Sequence, residues 1–271
     1  MPELPEVETT RLGLLPQVAG HRIVSVHVRE RRLRWPIPKN MERKMVDRMV
    51  SAITRRGKYL LWQLDSGILL THLGMSGSLR VVDTASTPAR HDHVDIAFDN
   101  KRTIRYTDPR RFGAMLWIDG EADQHPLLRE LGPEPLSEAF DGLALYRSSR
   151  GRSVSAKEFI MNSHVVVGVG NIYASESLFR AGIRPTRKAG TLSLAKCTHL
   201  AQAIKTTLTA AIRAGGSSLR DYVQASGELG YFQVDAFCYD REGQACRVCG
   251  GTIRQIRQGQ RATYYCPACQ K

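Results

Sequence analysis

The first six residues, Met1-Pro2-Glu3-Leu4-Pro5-Glu6, combine a potential nucleophile with two carboxylates. A small second residue permits removal of the initiator methionine, which would leave Pro2 as a free secondary amine. An α-amino group titrates near pH ~7.7–8.0, so a useful fraction is an uncharged nucleophile at neutral pH. Amines attack carbonyl-like carbons to form Schiff bases, and the neighbouring Glu3 is suited to act as general acid or base. Alone, however, these residues are more typical of a helix start.

Two Cys-x-x-Cys pairs near the carboxyl end have the spacing of metal ligands. Cys246 and Cys249 form the first pair, and Cys266 and Cys269 form the second after sixteen intervening residues. Four thiolates at this spacing predict a structural Zn²⁺ ribbon in which the protein fills every coordination position. A module this small has almost no core of its own, so metal binding would supply its folding free energy.

Three polar side chains occupy turns where they could meet a polyanion. Arg261 lies at what reads as a hairpin tip between the cysteine pairs, where it could contact a DNA phosphate or remain solvated. Lys58 opens a predicted strand and could be aimed at a sugar–phosphate or be an ordinary surface lysine. Gly168-Val169-Gly170-Asn171 separates two helical stretches. Asn171 is therefore expected to cap the second helix with its amide facing outward, beside N–H groups that suit a phosphate.

Two glycine-flanked turns carry large apolar side chains beside arginines. His72-Leu73-Gly74-Met75-Ser76-Gly77 places Met75 on the first turn. The second turn carries Arg110, Arg111 and Phe112. Core packing is the usual fate of methionine and phenylalanine. On loops next to arginines, they could instead be wedges that enter a stack of bases.

The composition favours a polyanionic partner. Lysine and arginine total 39 against 26 aspartate and glutamate residues, a formal net charge of +13. A basic balance of this size suggests nucleic acid, although charge alone also fits a merely soluble basic protein. No apolar run approaches the ~18 residues of a membrane span, and the acidic start lacks the apolar segment of a signal peptide. We therefore expect an intracellular protein without a membrane partner.

The elements that must position these residues change along the chain. A first helix is predicted from about Pro5 to Pro16, where a proline should end or break it. Short alternating or apolar strands follow, which is typical of an antiparallel sandwich or barrel, near 24–28, 59–64, 67–73, 94–98, 104–106 and 113–118. Gly132-Pro133-Glu134-Pro135 is the predicted linker. Helices are predicted beyond it, near 137–148, 155–162, 172–181, 193–213 and 217–225.

The sequence resembles the formamidopyrimidine-DNA glycosylase family nearly from end to end. The matching segments are MPELPEVE, HLGMSGSL, RYTDPRRFG, VVVGVGNIYASESLF and QRATYYC. The resemblance implies an α+β fold with an N-terminal antiparallel β-sandwich domain that begins with a helix (1–131). A helical helix-two-turn-helix DNA-binding domain (136–236) and a β-hairpin zinc finger (237–271) would follow.

The same resemblance implies a bifunctional glycosylase and abasic-site lyase of base excision repair. Such an enzyme removes oxidised purines, namely 8-oxoguanine and formamidopyrimidines, and then cleaves the strand by β,δ-elimination. Its partner would be double-stranded DNA with a damaged base or an abasic site, and its cofactor one structural Zn²⁺ per chain. We expect a monomer in the bacterial cytoplasm, associated with the nucleoid through DNA.

Each residue that matches a family motif takes a role from the resemblance. For catalysis, Pro2 would be the Schiff-base nucleophile, Glu3 the acid, Lys58 the β-elimination lysine and Arg261 the δ-elimination arginine, with Glu6 near the lesion. The DNA-contacting positions would be His91, Arg110, Arg152 and the phosphate-binding Asn171. The residues that fill the gap left by the extruded nucleotide would be Met75, Arg110 and Phe112.

Two segments depart from the family pattern. Met161-Asn162-Ser163-His164 stands where the family usually has Leu/Met-Asp-Gln/Asn-Lys, and residues 227–232 read GELGYF where GKPGYF is usual. These changes bear on base preference.

An oxidised-pyrimidine glycosylase of the same family is the alternative, although that branch typically opens MPEGPE and Leu4 favours the purine branch. A non-catalytic zinc-ribbon DNA-binding protein is another, and a metal-dependent nuclease is weaker because no further cluster has ligand spacing.

Overall fold

The structure, a computed structural model, describes residues 2–217 and 236–271. These residues belong to two compact units. The first unit contains residues 2–129 and 214–217, and the second contains residues 130–213 and 236–271. None of the described helices combines the length and the apolarity that a bilayer crossing requires.

The first unit opens with helix α1, Leu4–Val18. Its buried apolar side chains include Leu4, Val7, Leu14 and Val18, which recur at the spacing of one helix face. The helix was predicted to end or break near Pro16, but it continues for two residues past that proline. Pro16 lies in the last turn, so it removes a backbone donor where little of the helix remains.

Eight strands and one short helix follow α1 in this unit. They are β1 (Ile23–Val28), α2 (Met41–Met45), β2 (Val50–Arg56), β3 (Tyr59–Leu64), β4 (Gly67–His72), β5 (Ser78–Asp83), β6 (Asp92–Phe98), β7 (Arg102–Thr107) and β8 (Ala114–Ile118). They form two four-stranded antiparallel sheets, ordered β1-β6-β7-β5 and β2-β3-β4-β8. The predicted strands are confirmed, whereas β2, β5 and α2 were not predicted.

One apolar core joins both sheets to α1. It contains Ile96 and Ile104 from the first sheet, Trp62 and Met115 from the second, and Val7 from the helix. Side chains from two sheets that share one core define a sandwich, and the sandwich confirms the predicted fold class for this unit.

Strand β1 shows where simple alternation fails. Strict alternation along the predicted strand at 24–28 would place Val24 on the same face as Val26, yet Val24 is 49% exposed and Val26 is 7% exposed. The pairing of β1 with β6 shifts register between Ile23 and Ser25, which is the signature of a bulge. The extra residue rotates Val24 out of the core.

The second unit is helical and ends in a hairpin. Its helices are α3 (Gly142–Ser149), α4 (Ala156–Ile160), α5 (Asn171–Arg180) and α6 (Leu194–Arg213), and its strands are β9 (Arg254–Gln258) and β10 (Arg261–Tyr265). These four helices were predicted, although α3 begins later than expected because Asp141 caps it by accepting from the Ala144 N–H. The helix predicted at 217–225 lies outside the described residues after Ser217.

Candidate active site, DNA-contacting loops and zinc centre

The N-terminal residues form a reciprocal cap on α1. Glu3 is the N-cap, and its carboxylate accepts from the backbone N–H of Glu6. The Glu6 carboxylate in turn accepts from the backbone N–H of Glu3 at 2.8 Å. Pro2, Glu3 and Glu6 are all buried. The helix-start interpretation is therefore confirmed, and the same bonds fix the backbone of Glu3 directly beside the Pro2 nitrogen.

The second carboxylate oxygen of Glu6 accepts from the backbone N–H of Ser217 at 2.8 Å. Gly216 precedes Ser217 with φ +83°, and a Cβ at this position would lie 3.1 Å from the same Glu6 oxygen. Sequence reasoning missed the contact of this segment with Glu6, because no local pattern links positions more than two hundred residues apart.

Lys58 lies in the two-residue turn between β2 and β3. Arg56 and Tyr59 are paired across this turn, and Gly57 has the positive φ of +58° that a tight turn favours. Arg55 holds the end of β2 against α1 by an ion pair with Glu8 at 2.9 Å. Lys58 is thus half-buried at a tight hairpin end.

His72 lies beside this hairpin as a neutral imidazole. Its ring centroid is 4.8 Å from that of Tyr59. Burial, followed by the positive charges of Lys58 and Arg34, lowers the pKa of His72 to about 4. The Nδ1 atom accepts from the Gly74 N–H at 3.1 Å, so the ring proton resides on Nε2.

The two turns suggested as wedges are bound to each other through buried Asp108. The Asp108 carboxylate accepts from the Ser76 hydroxyl at 2.8 Å, from the Tyr106 hydroxyl at 3.0 Å and from the Gly113 N–H at 2.9 Å. Burial and the neighbouring Asp108 raise the pKa of Tyr106 well above its usual value, so this phenol remains a donor. Sequence reasoning did not single out Asp108, although it lies inside the YTDPRRFG motif.

The glycines of these turns allow the loops to interlock. A Cβ on Gly74 would lie 2.4 Å from the carbonyl carbon of Phe112, and a Cβ on Gly113 would lie 1.9 Å from the Tyr106 oxygen. The loops leave Met75 37% and Phe112 43% exposed. The Arg110 guanidinium lies 4.8 Å from the centre of the Phe112 ring. The structure thus brings together Met75, Arg110 and Phe112.

The start of α5 differs from the expectation for Asn171. Gly170 is the N-cap, and Asn171 is the first helical residue. Its amide nitrogen donates to the carbonyl of Ala262 at 3.1 Å and to the Tyr239 hydroxyl at 3.4 Å. The prediction that Asn171 caps the helix with its amide facing outward was wrong, because the hairpin β9–β10 supplies an acceptor on that side.

Two buried charged side chains fasten the finger to the helices, and neither was found from sequence. Lys157 of α4 is 1% exposed. It donates to the Ala262 carbonyl at 3.1 Å and to the Thr263 hydroxyl at 2.8 Å. Glu176 of α5 accepts from the backbone N–H groups of residues 237, 238 and 239 at 2.9 Å each. Each residue of α5 from 172 to 179 is buried, so Glu176 lies on a helix without an exposed face over this range.

The remaining predicted contacts lie on separate loops. Arg261 is exposed at the start of β10, next to Gly259 with φ +55° at the hairpin tip. Arg152 is exposed after α3, where its carbonyl accepts from the Gly190 N–H at 2.9 Å. In the first unit, the carbonyl of half-buried His91 accepts from the Asp108 N–H at 3.1 Å, which places it beside the second wedge turn.

The four cysteine sulfurs are arranged as metal ligands. All four lie within 4.8 Å of one another. The Cys246 and Cys269 sulfurs are 3.9 Å apart, and those of Cys249 and Cys266 are 3.5 Å apart. A tetrahedral site with Zn–S bonds of about 2.3 Å needs sulfurs about 3.8 Å apart, so the cluster fits zinc. A bound Zn²⁺ would cross-link the two ends of the finger.

Three family models match consecutive parts of the chain. The formamidopyrimidine-DNA glycosylase N-terminal domain matches residues 1–115, and the formamidopyrimidine-DNA glycosylase H2TH domain matches residues 131–223. The zinc finger found in FPG and IleRS matches residues 243–271. A curated relative from Methylococcus capsulatus, named formamidopyrimidine-DNA glycosylase, is 56% identical over 271 residues, 100% of both chains. The chain belongs to the formamidopyrimidine-DNA glycosylase family.

Solved structures of this family share the whole fold. A complex of a Lactococcus lactis glycine-to-proline mutant with DNA containing Fapy-dG aligns with a TM-score of 0.92 at 32% identity, covering 100% of both chains. A complex of the Lactococcus lactis enzyme with DNA containing an abasic site aligns with a TM-score of 0.91 at 32% identity, covering 99% of both chains.

Membership in the formamidopyrimidine-DNA glycosylase family confirms the main functional predictions. The protein is a DNA-repair glycosylase with abasic-site lyase activity. It binds DNA, and it carries a structural zinc in the cluster of cysteines. The non-catalytic DNA-binding alternative is thereby excluded.

Proposed function

We propose that this glycosylase excises oxidised purines, namely 8-oxoguanine and formamidopyrimidines, through a Schiff base on Pro2. The observation that carries the proposal is the buried reciprocal cap, which fixes Glu3, the residue next to Pro2, and bonds its backbone N–H to the Glu6 carboxylate. The relatives with Fapy-dG and abasic-site DNA support the choice of lesion. Leu4, which differs from the glycine of the pyrimidine branch, is completely buried in the core-facing side of α1.

In the proposed reaction, the Pro2 nitrogen attacks C1′ of the damaged nucleotide while the N-glycosidic bond breaks. Glu3 donates the proton that the departing base or the opened sugar requires. The positive charge that develops at the sugar is stabilised by the neighbouring carboxylates. The resulting iminium is cationic and acidifies the C2′ hydrogens, so loss of a C2′ proton expels the 3′-phosphate. Lys58 serves this β-elimination, and Arg261 serves the following δ-elimination.

The proposed DNA contacts follow from the two loop systems. Met75, Arg110 and Phe112 fill the gap that the extruded nucleotide leaves, since chemistry at C1′ requires the nucleotide outside the stack. His91, Arg110 and Arg152 contact the DNA, and Glu6 lies near the lesion. For Asn171, the side-chain donors already bind Ala262 and Tyr239, so its phosphate contact requires either exchange of these bonds or the backbone of α5.

We further propose that the chain acts as a monomer in the bacterial cytoplasm, on double-stranded DNA that contains a lesion or an abasic site. The proposed functional divisions are residues 1–131, 136–236 and 237–271. Zinc binding by the four cysteines belongs to the last of these.

The test is borohydride trapping followed by peptide mapping. Protein that lacks Met1 should be trapped on 8-oxoguanine DNA, with the adduct on Pro2. Protein that retains Met1 has no free Pro2 amine and should give no adduct. An adduct of normal yield on the blocked protein, or one mapped to Lys58, would refute the role of Pro2.

A second measurement separates Glu3 from Pro2. Glu3→Gln keeps the size of the side chain and removes its acidity. It should greatly slow lesion excision and retain substantial cleavage of a preformed abasic site, because that substrate has no base to expel. Equal losses in single-turnover rate on both substrates would assign Glu3 to the shared Schiff-base step.

A third measurement tests the class of lesion. Excision rates are compared on DNA that contains oxidised purines or oxidised pyrimidines, each placed opposite all four bases.

A further inference from the structure

The segment from Glu30 to Trp35 carries two arginines, Arg32 and Arg34, with no role in the reaction described above. Its backbone is fixed beside the second wedge turn. Leu33 is 7% exposed and belongs to the sandwich core. Trp35 forms a parallel bridge with Ala114, two residues after Phe112. Because Arg32 and Arg34 flank buried Leu33, both side chains are directed to the surface, and both are exposed.

These arginines and the wedge turns line one groove. Its volume is about 690 Å³, and its walls include Arg32, Arg34, Met75, Arg110, Arg111 and Phe112. Four of these six side chains are guanidinium groups, and no acidic residue lines the groove. The charge of these guanidinium groups makes the groove complementary to a polyanionic strand.

Glu30 fixes the position of two of the arginines at the rim. Its carboxylate accepts from Arg32 Nε at 2.9 Å and lies 3.3 Å from a guanidinium nitrogen of Arg111. The hydrogen bonds from Arg32, with a smaller contribution from the charge of Arg111, lower the pKa of Glu30 to about 2. Exposed ion pairs of this kind contribute little to stability. One carboxylate among four guanidinium groups orients the arginines and leaves the groove strongly positive.

We propose that this groove binds backbone phosphates of the DNA next to the wedge, with Arg32 and Arg34 as the contacting residues. The proposal rests on the proposed insertion of Met75 and Phe112, because the groove is continuous with those side chains. A wedge that bends the duplex brings more of the backbone against the protein, and arginines fix that backbone without reading sequence. The ligand is a phosphodiester, from either the lesion strand or the opposite strand.

The first test is the salt dependence of DNA binding. The double variant Arg32→Gln, Arg34→Gln should bind a duplex with a tetrahydrofuran abasic analogue more weakly than the unmodified protein. The slope of log K against log salt concentration should become less negative by about two units, since each phosphate that an arginine neutralises contributes about 0.9 to its magnitude. Arg102→Gln is the control, because Arg102 is also exposed but lies at the opposite end of β7 from the wedge turn. An unchanged slope in the double variant would overturn the proposal.

The second test locates the phosphates. Neutral methylphosphonates are placed one at a time along each strand of the same duplex. Substitution at a contacted phosphate should weaken binding by the unmodified protein and have no effect on the double variant, and the affected strand identifies the source. Equal sensitivity of both proteins at every position would overturn the proposal. Unfolding curves verify that the double variant folds, and borohydride trapping at saturating protein tests the Pro2 chemistry separately.

Discussion

The sandwich and the zinc finger hold their functional loops by different means. In the sandwich, the wedge turns and the Lys58 hairpin extend from strands that surround a large apolar core, which includes Trp62, Leu60 and Ile104. In the finger, the apolar cluster is small, and three of its six buried members are cysteines. The finger therefore depends on metal bonds and on buried polar contacts from α4 and α5.

Because of this difference, the sandwich and the finger can each lose their folded structure without the other. Apolar burial stabilises in proportion to area, so the sandwich tolerates the loss of any single polar contact. A finger without its metal has too little core to offset the entropy of ordering its chain. Changes in the core should therefore affect the sandwich alone, and changes at the cysteines or their polar supports should affect the finger alone.

The largest effect is expected from Cys246→Ala. Structural zinc in finger peptides contributes about 10–16 kcal/mol of apparent binding free energy, so loss of a ligand should unfold the finger and weaken DNA binding. The thermal transition of the sandwich should stay unchanged. Zinc content, DNA affinity and circular dichroism check these outcomes. Cys197→Ala, at a buried cysteine outside the cluster, should keep its zinc. Normal DNA affinity in a zinc-free variant would break the comparison.

The reciprocal effect is expected from Trp62→Ala. Trp62 is 1% exposed, and its indole N–H donates to Thr71 at 3.2 Å. Truncation of a buried tryptophan lowers the free energy of unfolding by about 3–5 kcal/mol. The sandwich should therefore unfold at a much lower denaturant concentration, while the zinc content is unchanged. Trp117→Ala, at a half-buried position on β8, should lower the free energy of unfolding by less than Trp62→Ala does. Zinc release that accompanies sandwich unfolding would show that the two regions are coupled.

Lys157→Met sharpens the comparison within the finger. The substitution keeps an unbranched side chain and removes the donor to Ala262 and Thr263. The Thr263 hydroxyl would lose this donor, and the Ala262 carbonyl would keep the bond from Asn171 but lose the one from Lys157. A lost buried hydrogen bond of this kind costs about 1–3 kcal/mol, so a chelator should extract zinc faster. Because Ala262 follows Arg261, the δ-elimination product should also decrease relative to the β-elimination product. Lys188→Met, at an exposed lysine, is the control. Unchanged zinc release and product ratio would show that Lys157 does not support the hairpin.

The last effect depends on pH and comes from the titration of His72. Its pKa is about 4 in the folded protein, below the usual 6.5, so the unfolded chain binds a proton first as the pH falls. The contribution of neutral His72 to the free energy of unfolding is therefore complete above pH 6.5. It is lost as the pH falls from 6.5 towards about 4. His72→Gln should flatten this part of the stability profile in urea titrations. Identical slopes for His72→Gln and the unmodified protein would contradict the burial argument.

Local patterns in the sequence predicted much of the fold. Strand alternation, turn residues and the cysteine spacing are properties of neighbouring residues, and they predicted most strands, five helices and the zinc ligands. Strand β2 was missed because its buried residues, Val50 and Ile53, are three positions apart and do not alternate. The bulge at Val24 depends on the partner strand, so no local signal reveals it.

The supports of the site were less predictable than its candidate reactive residues. Asp108, Lys157 and Glu176 have side chains that are usually exposed, and burial becomes evident only when their partners are known. Those partners lie far away in sequence, as in the 105-residue separation between Lys157 and Ala262. Asn171 shows the same limit, because its orientation is set by a hairpin about 90 residues further along the chain.

The interlocking of the two wedge turns has a consequence for evolution and design. Gly74 lies against the backbone of Phe112, and Gly113 lies against the backbone of His72. A side chain at Gly74 would require the second turn to move, and one at Gly113 would require both the first turn and the Tyr106 hydroxyl to move, so the two turns must vary together. Libraries that diversify Met75 and Phe112 should therefore keep both glycines constant. A relative that lacks one of them should carry a compensating change in the opposite turn.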